Sequence, residues 1–231
     1  MKIAGTLPFS DRIEAGRLLA SKLEEYKDQP DVVVVGLARG GVPVAFEVAQ
    51  QLHAPLDVLT VRKLGVPWQP EVAMGSVASG IRLFDHALIR SLNLSNYYVY
   101  DLIAKEEKEL ARREALYRDG NPAVALSGQT VILIDDGAAT GSTMVAARAS
   151  ILTKSPKEIV IAEPVASQGA YEAFKAEEKC ICLATPQLFF SVGQWYNSFP
   201  QVSDQAVKTL LCKARAQRAN EESLAQTSVA N

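Results

Sequence analysis

The sequence is poor in the side chains that usually announce a metal centre or a disulfide framework. Its 231 residues include three cysteines and two histidines. Cys180, Cys182 and Cys212 form an odd set without paired-motif spacing, which speaks against a cystine-stapled scaffold. Cys180 and Cys182 alternate along an expected strand as buried thiols, in keeping with a reducing, cytoplasmic setting. His53 and His86 have no partner at metal-ligand spacing. An excess of either charge is also missing. With 24 Lys+Arg against 26 Asp+Glu, the balance argues against a protein held to nucleic acid or an anionic membrane by bulk charge. No apolar run approaches membrane-spanning length, and nothing resembles a signal peptide. The G-x-G-x-x-G dinucleotide pattern, the Gly-Lys-Ser/Thr of a nucleotide-triphosphate loop and the G-x-S-x-G elbow are absent too. There is no internal repeat.

What the chain does contain is alternation. Asp11 to Tyr26 has the spacing of an amphipathic helix, with Ser10 as its cap and Ala15, Leu19, Leu23 and Tyr26 on one side. "DVVVVGLARGG" follows, an uninterrupted β-branched run of the kind that forms a strand buried on both faces. "VPVAFEVAQQL" predicts a helix with Pro43 in its first turn, and "PLDVLTVRK" a second strand. "LGVPWQP" is expected as a loop, and "VAMGSVASGIRLF" as a hairpin turning at Ser79-Gly80. Asp85 can cap a short helix. Residues 101 to 118 predict a charged surface helix with the narrow stripe Ile103, Leu110 and Tyr117. "TVILIDDG", "EIVIAEPVA" and "KCICLAT" are further strands separated by helices. Such alternation implies an α/β fold: a doubly wound, mainly parallel sheet with helices on both faces, plus a small hood or lid and a hairpin.

The most informative stretch is "VILIDDGAATGST", residues 131 to 143. In parallel sheets, ligands bind at the carboxyl ends of strands, where Asp135 and Asp136 are expected. The helix opening near Gly141 offers free amides and a partial positive charge, which suit a phosphate. Small residues let it approach, and Thr140, Ser142 and Thr143 add hydroxyl donors. Two adjacent carboxylates are natural acceptors for two vicinal hydroxyls. The stretch is therefore matched to a ribose 5-phosphate.

This string closely resembles the 5-phosphoribosyl-1-pyrophosphate (PRPP) signature of type I phosphoribosyltransferases. "GLARGGVPVA" is similar to the family's pyrophosphate loop, and "VRK" to the basic end of its next strand. The resemblance implies that Asp135 and Asp136 hold the ribose hydroxyls. Ala138, Ala139, Thr140, Gly141, Ser142 and Thr143 would hold the 5-phosphate. Ala38, Arg39, Gly40 and Gly41 would wrap the pyrophosphate, in a loop where the family often has a cis peptide. Arg39, Arg62, Lys63 and Asp136 form the implied catalytic set. Magnesium would arrive as the PRPP complex without a dedicated protein cage, with Asp135 or Asp136 reaching it through water.

The implied reaction is displacement of pyrophosphate from ribose C1 by a nitrogenous base or other small-molecule nucleophile, through an oxocarbenium-like state. The alternative is a regulatory protein that binds PRPP or a nucleotide without turnover. The 6-oxopurine enzymes carry an aspartate where this chain has Ala139, and the adenine enzymes a hairpin glutamate where only Glu71 lies nearby. The acceptor stays open. Residues 1–212 are expected as one domain, with its core at about 30–185 and a hood from 1–29 and from the aromatic-rich 186–212 region. Lid candidates are about 64–76 and 101–118, the latter with Arg112 and Arg113; residues 213–231 are expected as a disordered tail. A homodimer is the expected assembly.

Overall fold

The computed structural model describes residues 7–229, without the side chains of Pro70, Glu71 and residues 221–229. The first residues of the expected hood, the Glu71 carboxylate and the end of the tail therefore lie outside the described residues. Five strands form a parallel sheet: β1 (Val32–Leu37), β2 (Leu56–Leu59), β6 (Thr130–Ile134), β7 (Glu158–Val165) and β8 (Lys179–Ala184), in the order β2-β1-β6-β7-β8. A second, antiparallel sheet holds β3 (Val61–Val66), β4 (Gln69–Ala78) and β5 (Ile81–Phe84), in sequential order. The α/β expectation is met.

The four-valine run shows why the sheet is central. Val32 and Val34 enter the core on one face and Val33 and Val35 the core on the other, because strand side chains alternate. Ile132 and Ile134 follow the first pair, and Val131 and Leu133 the second. The first face is covered by α1 (Arg12–Ala20), α2 (Gly41–Leu52) and α7 (Asp204–Val229), the other by α5 (Ser142–Leu152) and α6 (Gln168–Glu177). Among the described residues no helix is long and apolar enough to cross a membrane.

Several local expectations are corrected. Helix α1 is capped by Asp11, not Ser10. Asp11 Oδ1 accepts from the Ile13 and Glu14 amides, each at 2.9 Å, and the helix ends before a separate turn at Glu24–Tyr26. The "LGVPWQP" stretch is no open loop. It is the β3–β4 hairpin turning at Pro67-Trp68, with Leu64, Val66, Met74 and Val77 all buried in an apolar cluster shared with a helix across an irregular register. That helix, α4 (Asn96–Arg118), starts five residues before the expected Asp101, where Ser95 Oγ accepts from the Tyr98 amide. Both lid candidates thus belong to one packed sheet–helix unit. A short α3 (His86–Ser91) precedes α4 and is capped by Asp85 as expected.

From Lys213 to Val229 the chain is helical, where a disordered tail is expected from composition. Val207 and Leu211 anchor the base of α7 in the core, Ala214 packs beside them, and Arg215 Nη1 donates to the Arg118 carbonyl at 3.0 Å. Composition alone hides this, since a helix nucleated on a buried base propagates through polar sequence.

Candidate functional site

Strand β6 is apolar through Ile134 and then delivers Asp135 and Asp136 to its carboxyl end. Two helix N-termini flank this pair. The loop Ala38–Gly41 opens α2, and the turn Gly137–Gly141 opens α5. The Ala38–Arg39 peptide is cis. Gly40 and Gly41 are required by contact: a Cβ on Gly40 would lie 2.0 Å from Asp136 Oδ2, and one on Gly41 only 2.5 Å from the Ile134 carbonyl oxygen. Gly141 adopts φ +75°, and a side chain there would meet the Phe174 ring at 2.8 Å.

The turn is braced from β7. The Ala138 amide donates to the Val165 carbonyl at 3.0 Å, and Ser167 Oγ donates to the Ala139 carbonyl at 2.7 Å. The Ala138 amide is thereby engaged within the fold. Thr140 Oγ1 lies 3.2 Å from Ser142 Oγ. Together with Lys63, Asp135 and Glu163, the turn from Gly137 to Met144 lines a cavity of about 170 Å³. A second opening of about 520 Å³ lies beside Arg12, Arg39, Gly40, Asp136 and Phe199.

The cations divide. Adjacent residues on a strand face opposite ways. Arg62 turns to α4, where its Nε donates to Glu106 Oε2 at 2.7 Å. Lys63 faces the turn cavity and has no ion pair among the described residues. Arg39 lies 3.6 Å from Asp204 Oδ1, an oxygen that also accepts from Tyr117 Oη at 2.7 Å. Arg112 and Arg113 both donate to Glu109, and Arg112 Nη2 lies 3.8 Å from Asp204 Oδ2.

Three residues at the site were not legible as such in the sequence. Arg12 opens α1 and pairs with Asp136, its Nη2 2.7 Å from Oδ2. Tyr196 Oη donates to the Asp136 backbone carbonyl at 2.5 Å. Glu163 in β7 is fully buried, and among the described residues neither of its carboxylate oxygens has a hydrogen-bond partner. An acid inside the apolar run "EIVIAEPVA" was the available signal for it.

Burial pushes the Asp135 carboxyl well above the usual carboxylate range, and the Asp136 charge adds to this. Burial raises Asp136 too, against the lowering effect of the Arg12 guanidinium. Glu163 is raised by burial first and then by its two acidic neighbours. The aromatic residues after β8 pack on one another: Phe189 lies 6.0 Å from Trp195 and Tyr196 4.8 Å from Phe199, ring centre to ring centre.

Comparison with known proteins gives the family. The phosphoribosyl transferase domain family matches residues 11–192. Rv0571c of Mycobacterium tuberculosis (strain H37Rv), named provisionally as a phosphoribosyl transferase, is 43% identical over 208 residues, 89% of this chain and 47% of that protein. The chain thus spans about half the length of the curated relatives it matches. The crystal structure of TT1426 from Thermus thermophilus is 39% identical with a TM-score of 0.76, covering 90% of this chain and 99% of that one. A hypothetical protein from Neisseria gonorrhoeae, crystallised with bound ppGpp, shares the fold at 12% identity and a TM-score of 0.51, covering 91% of this chain and 98% of its own.

Proposed function

The chain belongs to the phosphoribosyl transferase family, and from that premise we propose that it binds magnesium–PRPP and transfers the phosphoribosyl group to a small-molecule nucleophile. One observation carries the reading: two helix N-termini flank a single acid pair at the carboxyl edge of a parallel sheet, with Gly40 packed against Asp136. The ribose 2- and 3-hydroxyls would be held by Asp135 and Asp136. The 5-phosphate would sit on the amides of Ala139 to Thr143 and the hydroxyls of Thr140, Ser142 and Thr143, with Lys63 facing it. The pyrophosphate would sit on the loop Ala38–Gly41, with Arg39 as its cation.

Among the described residues, no group of three or more His, Cys, Asp or Glu side chains could hold a metal. The acid pair fits a magnesium ion whose ligands are chiefly oxygens of PRPP and water, reached from Asp135 or Asp136 through water. When bound, magnesium would neutralise charge on the pyrophosphate. In the transfer, the C1–oxygen bond breaks with its electron pair leaving on pyrophosphate, and the nucleophile's lone pair forms the new bond to C1. Arg39 stabilises the charge that departs, while Lys63 anchors the 5-phosphate. Arg62, engaged with Glu106, supports the hairpin that presents Lys63. That hairpin and α4 form the unit that would shield the reacting carbon from water.

The test is pyrophosphate release from PRPP across a panel of nucleobases and amines. Acceptor-dependent release supports transfer. PRPP binding with no release for any acceptor would replace it by a binding-only, regulatory role.

A further inference from the structure

Arg12 has no part in the chemistry above, yet it is among the most fully engaged side chains at the site. Its Nε and Nη2 donate to a single oxygen, Asp136 Oδ2, at 2.8 and 2.7 Å. Its Nη1 donates to the Pro200 carbonyl at 2.8 Å, and the guanidinium lies 3.7 Å from the centre of the Phe199 ring. The residue is 8% exposed.

This arrangement selects between the two oxygens of Asp136. Oδ2 is taken by Arg12 and lies against Gly40, where even a methyl group would collide with it. Oδ1 is left free of Arg12. The Asp136 main chain is fixed as well, because Tyr196 Oη donates to its carbonyl. A helix at the N-terminal end of the domain, the glycine loop and the aromatic segment after β8 therefore meet on one carboxylate.

We propose that Arg12 is a positioning residue for the ribose-binding acid, locking Asp136 through Oδ2 so that Oδ1 is the oxygen offered to the ligand. The inference rests on the PRPP reading given above. Three of the five guanidinium N–H donors already go to protein acceptors, two of them to Asp136. The planar fork is essential to the task. It holds one carboxylate oxygen twice, reaches a carbonyl on its other side and stacks on a ring, which a lysine ammonium cannot do together.

An ion pair this deeply placed could instead matter only for folding, because removing one partner strands the other. A double-mutant cycle separates the two roles. Calorimetric titration with magnesium and PRPP would compare the wild type, Arg12→Gln, Arg12→Lys, Asp136→Asn and Arg12→Gln/Asp136→Asn, each carried to millimolar PRPP. Arg12→Gln is expected to weaken binding by about tenfold or more, the scale of one charge-assisted contact. Arg12→Lys should fall between. On the Asp136→Asn background the Arg12→Gln change should cost less than about twofold, because a neutral amide holds the guanidinium far more weakly than the carboxylate does.

Equal losses on both backgrounds would overturn the proposal and make Arg12 a packing residue of the hood. If Arg12→Gln does not fold, Arg12→Lys on the same two backgrounds carries the comparison, with the same expected asymmetry. A wild type that binds no PRPP would overturn the PRPP reading itself, and this inference with it, an outcome distinct from unaffected variants.

Discussion

Glu163 stands beside Asp135: their strands pair in parallel up to Ile134 and Ala162, and each acid is the next residue along. Burial and the neighbouring acids raise the Glu163 pKa, so the folded protein keeps this proton at pH values where the unfolded chain has lost it. Between the unfolded value of about 4.3 and the raised folded one, the native state binds more protons, and stability falls as pH rises. Glu163→Gln carries no titrating proton. Its stability should match the wild type near pH 4 and exceed it increasingly toward pH 8. Denaturation midpoints across that range check this; parallel profiles would contradict it.

Gly40→Ala should abolish PRPP binding while leaving the fold. The added Cβ would sit 2.0 Å from Asp136 Oδ2, so the loop or the carboxylate must move by about an ångström, a displacement that can cost on the order of 100-fold. Titration beside a thermal melt is the check. Retained affinity would mean that the loop and Asp136 are not held as a unit.

Arg62 and Lys63 should separate in effect. Lys63→Ala is expected to weaken PRPP binding with little change in stability. Arg62→Ala strands Glu106, whose side chain is 11% exposed, and should cost about 1–3 kcal/mol of folding free energy with a smaller effect on binding. Urea midpoints and titrations on both variants decide, and the reverse pattern would place Arg62 in the site.

The sequence carried the sheet and the acid pair because both are local. A run of β-branched residues ending in two acids and a small-residue turn specifies a buried strand and what stands at its end, with no knowledge of the rest of the chain. Arg12, Tyr196 and Asp204 escaped notice because their partners are distant: Arg12 meets Asp136 across 124 positions. A lone arginine at the start of a helix has the signature of a solvated charge. The hairpin at 64–76 was missed for a different reason. Gly65 and Pro67 mark a loop, while the apolar character of Leu64, Val66, Met74 and Val77 gains its meaning only against α4.

Tyr117 tests the junction behind Arg39. The residue is fully buried, its hydroxyl donates to Asp204 Oδ1, and burial raises its pKa to about 12. Tyr117→Phe should cost about 1.5–3 kcal/mol, the value of a hydrogen bond to a charged group, read as a lowered urea midpoint. No change would mean that Arg39 and Arg112 satisfy Asp204 by themselves.

The central claim is that Asp135 and Asp136 hold the ribose of PRPP between two helix N-termini. Calorimetric titration of the wild type with PRPP and magnesium, beside Asp135→Asn/Asp136→Asn, tests it most directly. The account predicts saturable binding by the wild type that collapses in a double variant retaining its fold. Absence of binding by well-folded wild type, or equal binding by both proteins, would contradict it.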